Sequence, residues 1–306
     1  RVHCGPNLLE SDGPEPLPFA KRMAWANEWL TESVNREQEF SLPNGFDSLN
    51  WLSPHSTYLL GEDHLNQISA LAKQHGAHIH VHAAETIGEM SLVSKRHNGR
   101  TPIQVLADTH LLANAVIAHG VHLNDTDIAM IAQHGASVTH CPASNYKLAS
   151  GTARIVELHK QGVNVALGTD GPASGNDLDL WLAMRLAGYV QKTAASDPTV
   201  LPALDVLRMA TINGAKALHI DHLVGSLEVG KYADLVVLDA FSPSLTPVFD
   251  PHVAIVAAAG RGDVSHVVVH GQVVVRDRVA LTIEARAVVD RANKLTPAIL
   301  ASVARN

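Results

Sequence analysis

Two cysteines, Cys4 and Cys141, are all that the 306 residues contain, and they form no Cys-x-x-Cys pair. No disulfide framework can be built from them, and a reducing, cytoplasmic location is expected. No apolar run approaches the roughly 20 residues that a membrane-crossing helix needs, so no membrane partner is expected. Basic runs are missing too, and the formal charge is −7, which argues against nucleic acid as a partner. Internal repeats and low-complexity segments are absent. No leader-like segment opens the chain, which starts at Arg1 rather than at a methionine. Aromatic side chains are scarce, with only 13 Phe, Tyr and Trp.

What the chain does have is histidine, 19 in all, in a sequence that is 46% hydrophobic and long enough to bury a sizeable core in one or two domains. Neutral imidazole is a frequent metal ligand and acid or base, so the histidines invite a catalytic reading. Most must still be ordinary, and spacing has to separate them.

From about residue 51 to 192 short apolar runs alternate with amphipathic stretches. Strands are expected at 77–82, 115–118, 136–139 and 163–167. The helix before the first of them, Glu62–His75, carries Leu65, Ile68, Leu71 and Ala72 on one face, with Gly76 suited to a left-handed cap. Asn124 or Asp125 can cap the next helix, which Gly135 ends. A third is expected over 152–161. Strands alternating with helices of this length imply βαβ units and a parallel sheet. A helix is expected around 204–219. Beyond Gly225 the pattern becomes short β-rich runs separated by Gly and Asp turns, without helical periodicity between them. A helical tail over 283–303 closes the chain.

Three signals sit where expected strands end, the position at which α/β barrels place their active sites. His82-Ala83-Ala84-Glu85 can present a metal ligand and a proton shuttle to one water; otherwise it is a polar strand end. Ala118-His119-Gly120 offers a histidine that alone reads as structural. Leu167-Gly168-Thr169-Asp170-Gly171 delivers an aspartate into a loop, although Asp-Gly alone is a turn signal. Together, His, His and Asp in successive βα units are ligand types suited to a divalent metal.

The ordered motifs SPHS (53–56), HAAE (82–85), AHG (118–120), HCPASNYKLASG (140–151) and LGTDGPASGNDLD (167–179) resemble the amidohydrolase superfamily, and most closely its cytosine-deaminase-like branch. Within it the chain is similar to deaminases of S-adenosylhomocysteine and 5′-methylthioadenosine, and to the related triazine hydrolases. ATINGAKAL (210–218) and VGSLEVGKYADLVVLD (224–239) continue the likeness. The resemblance implies an α/β fold: a (β/α)8 TIM-type barrel with a small composite β-sandwich. The barrel is expected over 1–219, the sandwich over 220–282 and the tail over 283–306.

It further implies that His82 and Asp170 ligate one divalent metal, zinc or else iron. Glu85 would be the general acid/base, His119 would contact the attacked centre, Asp170 would also accept a proton, and His55 would bind substrate. Ser144 and Asn145 would brace the loop over the site. No strand-end lysine lies near His55, which favours one metal over two. The implied activity is hydrolytic deamination of an amino-substituted heterocycle of adenosine type or another nucleobase. A triazine hydrolase or a metal-free, non-catalytic homologue are the alternatives. The partner is a small heterocycle, and the family hints at a homo-oligomer.

The family's first strand ends in a His-x-His pair that is not found here, so the chain is expected to begin near the third barrel strand, at Arg1-Val2-His3-Cys4, with the first two strands outside it. His78 and His80 are expected in the core or supporting the site from behind its ligands, His80 pointing inward one layer below His82. His140 is expected beside the site. His219 is grouped with surface or packing histidines near the sandwich, and Arg22 is expected on a solvated helix face.

Overall fold

The structure is a computed structural model that describes residues 2–10, 17–39 and 49–303. Contacts divide the chain into two units, Arg1–Gly225 and Ser226–Asn306.

In the first unit, six strands pair in parallel and in sequential order: β1 (Asn7–Leu8), β2 (Trp51–Pro54), β3 (His78–Ala83), β4 (Val116–His119), β5 (Ser137–His140) and β6 (Asn164–Leu167). Each connection crosses over through at least one helix. Sequential order without reversal is the winding of an α/β barrel, whereas a doubly wound sheet reverses at a switch point. β1 and β6 each have one neighbour among the described strands. The four strands expected from the sequence are all present, most shifted by a residue.

The strand expected at residues 1–4 lies instead at Asn7–Leu8, and Arg1 falls outside the described residues. Backbone packing explains the shift. A side chain at Gly5 would place its Cβ 1.8 Å from the carbonyl oxygen of Trp51, so the chain crosses β2 closely there. Pairing then begins with the Ser53 amide donating to the Pro6 carbonyl at 3.0 Å.

Local chemistry sets the helices. Glu62–His75 starts with Glu62 and Asp63 and ends with Lys73 and His75, both matched to the helix dipole. Leu65, Ile68, Leu71 and Ala72 are its buried stripe, and Gly76 at φ 63° donates its amide to Ala72. Full burial of each such aliphatic side chain contributes about 1.5–3 kcal/mol. Thr101 with Gln104, and Asn124 with Asp127, form reciprocal capping boxes. The helix expected at 152–161 is the shorter Ile155–Lys160. That expected at 204–219 breaks into Ala203–Met209 and Ile212–Ala217.

β3 shows why its histidines differ. Alternation buries Ile79, Val81 and Ala83 on one face and puts His78, His80 and His82 on the other. His80 lines a cavity of about 250 Å³, with Ser53, Thr139 and Leu167 from strands across the sheet and Cys4 from the segment before β1. At the N-terminal end His78 stacks on His219 at 4.5 Å and lies 4.8 Å from the Trp51 ring, tilted by 36°. His219 thus belongs to the first unit, not to the β-rich region. The helix Ile212–Ala217 packs on β6 and carries His219 to this stack. Arg22 is likewise not solvated. It is 9% exposed, and its Nε donates to the Leu17 carbonyl just before the helix Phe19–Glu39.

In the second unit, β7 (Leu235–Leu238), β8 (Val264–Val269), β9 (Gln272–Arg276) and β10 (Val279–Ala280) form one antiparallel sheet in the order β10-β9-β8-β7. Two-residue loops join β8 to β9 and β9 to β10. Both loop residues have positive φ in each, His270 (52°) with Gly271 (75°) and Asp277 (50°) with Arg278 (67°), which is the type I′ geometry that suits twisted strands. Between β7 and β8 the chain is not free of helix: short helical turns occupy much of Pro243–Leu245 and Pro251–Val253 through Arg261–Asp263. Asp263 organises that stretch by accepting from the Ser242 and Ser244 hydroxyls and the Gly260 amide. The tail helix runs Ala285–Val303 with no buried residue, and residues 304–306 lie outside the described ones. No helix among the described residues is long and apolar enough to cross a membrane.

Candidate active site

The C-terminal ends of β2, β3, β4 and β6 deliver His55, His82, His119 and Asp170, and the turn after β3 delivers Glu85. The structure brings four of them into a contiguous group. The His55 and His82 rings lie 4.9 Å apart, and His82 stacks on His119 at 5.6 Å. His119 Nε2 stands 3.8 Å from Glu85 Oε2. Asp170 is tied instead to Ser144, whose Oγ donates to its Oδ2 at 2.7 Å.

The backbone at these strand ends is unusual. Ala84 (φ 56°), His119 (75°) and Asp170 (61°) all adopt the left-handed region, which costs a residue bearing a Cβ about 1–3 kcal/mol. Each turn swings a side chain or amide away from the path of the strand and toward the end of the sheet.

Hydrogen bonds then fix each group. His82 Nδ1 lies 2.9 Å from the His55 carbonyl oxygen. That oxygen can only accept, so Nδ1 carries the proton and Nε2 keeps its lone pair. His119 Nδ1 lies 3.0 Å from Asn145 Oδ1 and donates to it by the same logic. His55 Nδ1 is 3.2 Å from Ser56 Oγ; burial, then the neighbouring His82, lowers the His55 pKa. Asp170 Oδ2 accepts from Ser144 Oγ at 2.7 Å and Oδ1 from the Gly171 amide at 2.6 Å. Burial works to raise the Asp170 pKa, but these donors, the charge at His119 and the Ser174 hydroxyl hold it below the ordinary carboxylate range.

Glu89 is a site residue that the sequence reading passed over. It is 5% exposed, and its carboxylate accepts from the amides of Ala84 (2.9 Å) and Glu85 (2.6 Å), so it clamps the turn that aims Glu85. Burial pushes its carboxyl above the ordinary range, against those amide hydrogen bonds. A signal was there to find: Thr86-x-x-Glu89 is a helix-start pattern. Thr86 does cap the helix Ile87–Arg96. Glu89 reaches past the cap to the two preceding amides.

Below this group lie two further histidines. His80 is pushed down to about 4 by burial and by His82 and His119. His140 is fully buried, pushed down to about 3 by burial and by His119, and neither ring nitrogen has a hydrogen-bond partner. Both are therefore neutral at pH 7. Cys141, 4% exposed, has its thiol pushed up to about 12, chiefly by burial.

For a divalent metal, the donor chemistry suits two residues. His82 offers an unprotonated Nε2, and Asp170 offers a carboxylate held ionised. Among the described residues no group of three or more His, Cys, Asp or Glu side chains is placed to hold a metal ion.

The sequence pattern of the amidohydrolase family matches residues 31–274. The 5′-deoxyadenosine deaminase of Methanothermobacter thermautotrophicus is 44% identical over 227 residues, which are 74% of this chain and 52% of that protein. The 5-methylthioadenosine/S-adenosylhomocysteine deaminase of Desulforudis audaxviator is 41% identical over 253 residues, 82% of this chain and 59% of that one. The chain thus spans about half the length of the curated relatives it matches. Among solved structures, an adenosine deaminase from Xanthomonas campestris with bound zinc superposes with a TM-score of 0.89 at 29% identity, covering 98% of this chain and 66% of that one. An atrazine chlorohydrolase from Arthrobacter aurescens complexed with zinc gives a TM-score of 0.83 at 22% identity, covering 96% and 66%, and shares the fold. On the match to residues 31–274 and the parallel six-stranded sheet that carries the motifs, the chain belongs to the amidohydrolase family.

Proposed function

We propose that the protein is a metal-dependent hydrolase that deaminates an adenosine-type nucleoside, with 5′-deoxyadenosine, 5′-methylthioadenosine and S-adenosylhomocysteine as the substrates to test first. The observation that carries this reading is the Glu85–His119 pair beside an ionised Asp170. It occurs in a chain 44% identical over 227 residues to a 5′-deoxyadenosine deaminase.

His82 and Asp170 are the residues that would hold the metal, and zinc is favoured over iron by the zinc in the Xanthomonas relative. The metal supplies Lewis-acid activation of water. The chain's own residues do the rest. Glu85, a quarter exposed, protonates the ring nitrogen next to the amino-bearing carbon. That makes the carbon electrophilic; the amino group then takes the proton that Asp170 received from water and leaves as ammonia, while the proton of the added hydroxyl returns to Glu85. His119 directs Nε2 to the same place and steadies charge as it develops. Asp170, already ionised, accepts the proton that water gives up. His55, next to His82, contacts the bound ring.

Ammonia release from each nucleoside, measured with zinc present, tests the reading. Turnover of at least one nucleoside, lost by about 100-fold or more in Glu85→Gln, supports it. Zinc-loaded protein that releases ammonia from none of them overturns it, and turnover confined to triazines would assign a different substrate class.

A further inference from the structure

Two consecutive residues, Ser144 and Asn145, are both fully buried in the short helix Pro142–Lys147 that leaves β5. β5 lies between β4 and β6 in the sheet. From this central position the two side chains reach opposite ways. Asn145 Oδ1 meets His119 Nδ1 at the end of β4 at 3.0 Å, and Ser144 Oγ meets Asp170 Oδ2 at the end of β6 at 2.7 Å. Their own backbones are tied down: the Asn145 amide donates to Cys141 at 3.0 Å, Leu148 to Ser144 at 2.9 Å, and Ser150 to Asn145 at 2.8 Å.

The residues they grip are those whose backbones need holding. His119 and Asp170 sit at φ 75° and 61°, a conformation that persists only where the surroundings over-determine it. Asn145 Oδ1, an acceptor only, places the proton on Nδ1 and leaves Nε2 facing Glu85. Ser144, a donor here, selects one orientation of the Asp170 carboxylate.

We propose that Ser144 and Asn145 form a positioning pair: one dipeptide sets the tautomer of His119 and the orientation of Asp170 together, and so fixes two strand ends relative to each other. This rests on the deaminase reading for its catalytic consequence, but not for its geometry. A brace that only held the loop would leave the His119 tautomer unchanged when Asn145 is altered.

The test uses the full-length protein with Asn145→Leu, Asn145→Ala, Asn145→Asp and Ser144→Ala. The His119 ring nitrogens are followed by 15N NMR in zinc-free protein, alongside zinc affinity, kcat and KM in loaded protein. Asn145→Leu and Asn145→Ala are expected to lose the Nδ1–H tautomer and to lower kcat about 10- to 100-fold with KM within about threefold. Asn145→Asp, which keeps an acceptor, restores the tautomer and most of kcat. Ser144→Ala is expected to weaken zinc binding about 10- to 100-fold while leaving the His119 tautomer intact. The inference is overturned if a folded Asn145→Ala or Asn145→Leu keeps the wild-type tautomer, or if Asn145→Asp is no better than they are. Should Asn145→Leu not fold, Asn145→Ala decides the question. Wild-type protein that turns over no nucleoside would sink the deaminase reading alone, because the NMR result still decides the positioning pair.

Discussion

Glu10 follows β1, and its Oε1 receives Arg96 Nη2, His64 Nδ1 at 2.8 Å and the Gly61 amide at 2.8 Å. One carboxylate therefore joins the end of β1 to two helices, Glu62–His75 and Ile87–Arg96. Burial works to raise its pKa, but Arg96, the Gly61 amide and His64 outweigh burial and bring it to about 2 from the ordinary 4.5. Taken at full strength, that displacement corresponds to about 3.4 kcal/mol. The Glu10 and Arg96 side chains are 29% and 35% exposed, so solvent screening reduces it to about 1–2 kcal/mol. Glu10→Gln should therefore destabilise the fold by about 1–2 kcal/mol at pH 7. The pH dependence has a definite sign. With its folded pKa depressed, Glu10 stabilises the fold above pH 4.5, and that stabilisation fades as pH falls toward 2. Between pH 7 and pH 3.5 the gap between wild type and variant should shrink by roughly two fifths. Urea unfolding of both proteins across that range measures it. A gap that stays constant with pH, or widens in acid, refutes the assignment of the stabilisation to the ionised Glu10.

Gly5→Ala places a Cβ 1.8 Å from the Trp51 carbonyl oxygen, and a lowered urea midpoint equivalent to about 1–3 kcal/mol should follow. Cys141, buried and with its thiol pushed up to about 12, should resist a thiol reagent at pH 8 until the protein is unfolded. Modification of both cysteines at equal rates in the native state would contradict that. Glu89→Ala leaves the Ala84 and Glu85 amides without their acceptor. It should lower kcat more than it raises KM and destabilise by about 2–4 kcal/mol, read by nucleoside turnover and by urea unfolding.

Short-range chemistry was the legible part of this fold. The helix Glu62–His75 could be placed to the residue because an apolar stripe, a charged first turn and a capping glycine coincide there. Strand existence was equally readable, but strand ends were not, since alternation reveals the face of a residue and not where pairing stops. β1 eluded the reading because its position follows from a close crossing of Gly5 over Trp51, a contact between residues far apart in sequence. The same limit applies at the site. His82, His119 and Asp170 stand out as polar residues ending apolar strands. The links from Ser144 to Asp170 and from Asn145 to His119 each span 26 residues, so spacing along the chain carries no trace of them. Arg22 misled because helical periodicity describes the helix alone, not what packs over it; its Nε donates to the Leu17 carbonyl and it is buried.

The left-handed turns at Ala84, His119 and Asp170 also say something about how the protein responds to change. At these positions glycine would relax the backbone, so His119→Gly or Asp170→Gly would relieve strain while removing the groups that the proposed reaction uses. A screen that rewards thermal stability alone would therefore favour glycine at His119 and Asp170, the positions that the proposed reaction would use.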